Sequence, residues 1–83
     1  MRVHDIEIDE AALATVRAWI ARQAGAFTFG DVADELMRAK VPYAVHYMAV
    51  ARLLQELRRA GAVAFRGGYW HVVPASSKED KAA

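Results

Sequence analysis

The sequence predicts an α+β domain in which three helices are followed by a small antiparallel β-sheet. Three observations predict it. A long amphipathic stretch, Tyr43 to Ala60, ends at Gly61 and opens at once into two short alternating runs joined by Gly67-Gly68. Two shorter helical stretches precede it, each with its own N-cap residue.

Residues 1–9 read as an N-terminal arm, in which Val3, Ile6 and Ile8 form either a short edge strand or a loose lead-in. Asp9 caps a helix over about 10–24, with Glu10 in its first turn and Gly25 at its end. Leu13, Val16, Ile20 and Ala24 face inward there, with Trp19 on the flank. A short extended segment, Ala26 to Phe29, is a candidate third strand for the later hairpin. Thr28, followed three residues later by Asp31, resembles a capping box and starts a helix from about 29 to 39 that buries Phe29, Val32, Ala33 and Leu36. Lys40-Val41-Pro42 makes the turn, and Pro42 suits the opening of the next helix.

At 100° per residue, Tyr43, Tyr47, Val50, Leu54 and Leu57 share one narrow sector of the third helix, with Leu53 at its edge. That sector is the expected buried face. Val45, Met48, Ala49, Arg52, Gln55, Glu56 and Arg59 then face outward. Beyond Gly61, a two-residue turn pairs Arg66 with Tyr69, Phe65 with Trp70, Ala64 with His71 and Val63 with Val72. Period two puts Val63, Phe65, Trp70 and Val72 on an inner face and Ala64, Arg66, Tyr69 and His71 on an outer one. Residues 74–83, polar and of alternating charge, read as a disordered tail.

Composition limits the function. The 83 residues, 55% hydrophobic, make one domain with a modest core. The absence of cysteine excludes disulfides, thiol catalysis and thiolate zinc sites. No apolar run approaches a membrane span and no signal peptide is visible, so a cytoplasmic protein without a membrane partner is expected. His4, His46 and His71 fall in three different elements, so no metal or other cofactor is expected, and His46 reads as a histidine at the edge of the core. No nucleophile and base come together, and Gly67-Gly68 is a hairpin turn rather than a phosphate cradle. An enzyme is therefore not expected. Charge is unevenly placed: residues 1–37 carry three arginines against seven carboxylates, whereas residues 38–73 carry six cations against Glu56 alone. The positive half coincides with the third helix and the hairpin.

The run Asp31-Val32-Ala33-Asp34-Glu35-Leu36, the run Val50 to Val63 with its paired leucines before a glycine, and the Gly67-Gly68 tip resemble the winged helix-turn-helix superfamily of bacterial regulators, of the kind represented by the MarR and ArsR repressors. The resemblance covers roughly residues 10–73. It implies a third helix in the major groove of double-stranded DNA and a wing on the backbone or minor groove. Carried over residue by residue, Ala44, Val45, Met48, Ala49, Arg52 and Gln55 would face the groove, Arg66 would sit at the wing tip, and Tyr69 and Arg59 would flank them. Relatives commonly carry hydroxyl or amide side chains where this chain has Val45, Met48 and Ala49, and several add C-terminal helices for dimerisation that are not found here.

Arg52 and Gln55 have the fork and amide that match base edges, with solvated surface as the competing reading. Arg38 and Lys40 border the turn, where phosphate contacts position a protein, and they too compete with plain solvation. Tyr43 and Tyr47 stack on or donate to nucleotides in one reading; core packing is the reading their stripe favours, and a helix that begins four residues later, as the leucine and glycine spacing of the resembled superfamily allows, would instead place Tyr43 in the turn, facing the backbone. The expected function is a DNA-binding transcriptional regulator, a repressor acting as a homodimer on a two-fold site. Its rival is a protein-binding winged helix that uses the apolar Val45 and Met48.

Overall fold

The computed structural model describes residues 1–73, so the expected tail at 74–83 lies outside the described residues. The order of elements is β1 (Arg2–Val3), β2 (Ile6–Glu7), α1 (Glu10–Ala21), α2 (Phe29–Arg38), a 3₁₀ turn (Tyr43–Val45), α3 (His46–Arg59), β3 (Val63–Arg66) and β4 (Tyr69–Val72). Three helices thus pack with a two-stranded antiparallel sheet, β3–β4, and a second small hairpin, β1–β2. None of these helices is long and apolar enough to cross a membrane.

The N-terminal residues join the domain. Val3 and Ile8 are buried in the core, and the hairpin turns on His4 and Asp5, both in the left-handed region (φ 50° and 63°). The N-terminal ammonium bonds to Glu10 and Glu7. Glu10 holds that ammonium above its ordinary pKa, and the ammonium holds Glu10 below its own.

Asp9 caps α1 by accepting from the Ala11 amide at 3.0 Å. Leu13, Val16 and Ile20 are buried as the periodicity required, with Trp19 half-buried on the flank. The helix stops at Ala21, short of Gly25, and Ala24 is exposed rather than inward. α2 opens with a complete capping box: the Asp31 amide donates to Thr28 Oγ1 at 3.1 Å and the Thr28 amide to Asp31 Oδ2 at 2.9 Å. Val32 and Leu36 are fully buried, while Phe29 and Ala33 are half-buried. Removing the cap with Thr28→Ala should cost about 1 kcal/mol and lower Tm by roughly 4–8 °C. A thermal melt followed by circular dichroism checks this; an unchanged Tm would mean that α2 is held by packing alone.

The β3–β4 register is the one the sequence predicts, from Val63 opposite Val72 to Arg66 opposite Tyr69. Gly67 and Gly68 take φ values of 58° and 85°, as a two-residue turn with both central residues left-handed requires. Val63 and Trp70 are buried on the inner face, but Phe65 is half exposed, because the ribbon reaches past the core toward its tip. The expected third strand is a single bridge, in which Phe27 and Trp70 exchange both backbone hydrogen bonds at 2.9 Å. Phe27 is itself buried and meets Trp19 edge to face at 6.0 Å.

Candidate nucleic-acid interface

The rotation of α3 about its own axis differs from the expected one. Its buried residues are His46, Ala49, Val50, Leu53 and Leu54, and Val45 just before it is also fully buried. Tyr43 and Tyr47, expected inside, are 81% and 72% exposed. Val45 and Ala49 therefore leave the candidate surface, and Met48 is half-buried against the core. On a helical wheel both tyrosine rings count as apolar, and a single α-helical period run back through Tyr43 places them in the core. In fact the chain enters through a 3₁₀ turn, where residues three apart eclipse one another, and Tyr43 stands over His46 with ring centroids 5.3 Å apart. His46 is buried and donates from Nε2 to the Val41 carbonyl at 2.7 Å, which pins the α2–α3 turn to the first turn of α3. A carbonyl only accepts, so this nitrogen carries the proton.

What α3 leaves open is a stripe of Ala44, Tyr47, Gln55, Arg58 and Arg59, with Ala51 half-buried along it and Arg52 exposed on one flank. Ala51, Arg52, Gln55, Glu56 and Arg59 line a shallow groove along this face. Glu56 would oppose an anionic partner, but Arg17 of α1 engages it through Nε at 3.0 Å and Nη2 at 3.4 Å. The one carboxylate of the basic half is thereby neutralised from within. Tyr47 stacks against the half-buried Phe29 of α2, with ring centroids 5.2 Å apart, so its hydroxyl is presented from a supported ring.

The predicted cations divide into two groups. Arg38 is exposed but paired with Glu35 three residues earlier, and Arg52 donates to the Arg2 carbonyl at 2.6 Å. Lys40, Arg59 and Arg66 are exposed and make no ion pair among the described residues, and Arg58, not among the expected DNA contacts, joins them. Arg66 lies at the tip of the hairpin directly opposite the half-exposed Tyr69. Tyr47 is exposed, so of its two readings the nucleotide-facing one keeps its place and core packing, which its stripe favoured, does not; its phenolic hydroxyl was the available signal.

Lys40 occupies an unusual place. It follows α2 with φ 64°, its amide bonded to Met37 and that of Val41 to Leu36, the pattern that closes a helix and usually carries glycine at the left-handed position. A lysine there is strained on the order of 1 kcal/mol. Lys40→Gly should accordingly raise stability by about 0.5–1 kcal/mol in urea denaturation at unchanged slope. The same substitution removes a cation from the turn. Lower stability would show that the strain is relieved elsewhere.

Among the described residues no three His, Asp or Glu side chains gather as a metal site. The chain matches no protein-family model, no curated protein and no solved structure.

Proposed function

We propose that this domain is a winged helix-turn-helix that binds double-stranded DNA, with α3 in the major groove and the β3–β4 hairpin as the wing. The observation that carries this reading is the pairing pattern of the basic half. Its carboxylate is neutralised by Arg17, while Lys40, Arg58, Arg59 and Arg66 have no ion pair among the described residues. Such cations await an anionic partner, and a duplex offers phosphates on both sides of an inserted helix.

The open stripe of α3 suits a groove sterically as well. Ala44 and Ala51 are small enough to let the helix approach base edges, and Gln55 between them and the flanking Arg52 supply an amide and a fork for hydrogen-bonded readout. Tyr47 on the other flank offers a hydroxyl donor to a phosphate. Arg66 at the glycine-tipped turn reaches the backbone or minor groove beside the site. Sequence readout by a single short helix covers few base pairs, so the reading extends to a homodimer on a two-fold site, acting as a cytoplasmic transcriptional regulator or repressor.

A second reading is favoured by a different observation. Tyr43, Tyr47 and Met37 are all more than half exposed, and such aromatic and methionine surface also suits a protein partner. In this form the protein-binding alternative rests on those side chains, not on the buried Val45 and the half-buried Met48. Selection of bound sequences from a random duplex pool separates the two. Enrichment of a palindrome supports the regulator, and a pool that stays random while a protein partner competes supports the adaptor.

A further inference from the structure

The N-terminal hairpin is not expected, from its charge, to touch DNA: it carries Asp5 and Glu7 beside Arg2. Its backbone nevertheless meets the proposed interface. The turn pairs Val3 with Ile6 and Arg2 with Glu7, and beyond them the Ile8 amide donates to the Met1 carbonyl at 2.8 Å. Hydrogen-bonded and non-hydrogen-bonded positions alternate along an antiparallel pair, so Arg2 occupies a position whose own carbonyl points out of the ladder. That carbonyl accepts Arg52 Nη1 at 2.6 Å. A one-residue slip of the hairpin would turn it away.

We infer that the β1–β2 hairpin is a positioning element for Arg52, holding the guanidinium so that its remaining edge, Nη2 and Nε, faces the partner of α3. The inference rests on the DNA-binding reading above. Guanidinium has five donors in a rigid plane, so the bond through one nitrogen leaves a bidentate edge available for a phosphate or a guanine. An arginine whose rotamers are settled beforehand loses less freedom on binding, which is worth roughly two- to tenfold in affinity. Arg2 thus acts through its main chain, and its side-chain identity is secondary.

The turn supplies the handle for a test. His4 has φ 50°, a conformation closed to proline, and both turn residues are exposed. His4→Pro therefore breaks the turn without replacing the buried Val3 or Ile8. Duplex affinity would be measured by fluorescence anisotropy for the unsubstituted chain, His4→Pro, Arg52→Ala and the double variant. Each single variant is expected to lose roughly two- to tenfold, and the double no more than Arg52→Ala alone. Independently of folding of the variants, NMR of the free, unsubstituted protein should show Arg52 Nη resonances separated by hindered rotation. Additive losses, or a single averaged guanidinium signal, overturn the inference while the DNA-binding reading stands. Absence of duplex binding by the unsubstituted chain at low salt overturns both.

Discussion

Duplex affinity is expected to fall steeply with salt, with a log–log slope on the order of −3 to −5 per protomer. The magnitude follows from the side chains left open. Lys40, Arg58, Arg59 and Arg66 have no ion pair among the described residues, and Arg52 keeps a free edge. Each phosphate neutralised contributes about 0.9 to the slope, so three to five contacts span that range. Replacing Arg59 and Arg66 together with alanine should reduce the slope by about 2 and weaken binding roughly 10- to 100-fold near 0.1 M salt, whatever the DNA sequence. Arg38→Ala is the control, since Glu35 already holds that guanidinium, and its slope should match the unsubstituted chain's. Arg52→Ala should instead relax preference at one base position. Anisotropy titrations at several salt concentrations test all of these. A flat response would transfer the surface to the protein-binding reading.

The second large effect concerns which side of α3 is inside. Ala49→Arg is expected to unfold the domain. Ala49 is fully buried, and an unpaired guanidinium there combines overpacking with burial of a charge, a loss of several kcal/mol. A domain of this length is stable by only roughly 4–11 kcal/mol. Tyr47→Arg, two residues earlier on the open side, should cost only about 0.5–1.5 kcal/mol, the worth of its ring contact with Phe29. Urea denaturation of the two variants decides the matter: had the helix been rotated as its apolar stripe suggested, Ala49→Arg would be the harmless change and Tyr47→Arg the damaging one.

Two tyrosines misdirect a helical wheel because their rings count as apolar while their hydroxyls are most stable in water. Valine and alanine misdirect it the other way, since neither has a polar atom to signal which side it occupies. The elements whose geometry is local were legible: Thr28 and Asp31 close their box within one turn of chain, and Gly67-Gly68 alone sets the register from Val63 to Val72. The order of three helices and a terminal hairpin follows from the same kind of signal. Val3 and Ile8 showed their hydrophobicity in the sequence, but not that a turn on His4 and Asp5, neither of them glycine, would fold them into the core.

The amino-acid sequence by itself determined the three helices in outline, the caps of the first two, the β3–β4 register and the basic character of residues 38–73, because each depends on neighbours in the chain. Only the tertiary structure decided which flank of α3 faces water, which arginines are already engaged, and that the first strand's backbone reaches Arg52. Those outcomes depend on groups far apart in sequence, such as Arg17 with Glu56 and Arg2 with Arg52, whose meeting no local pattern encodes.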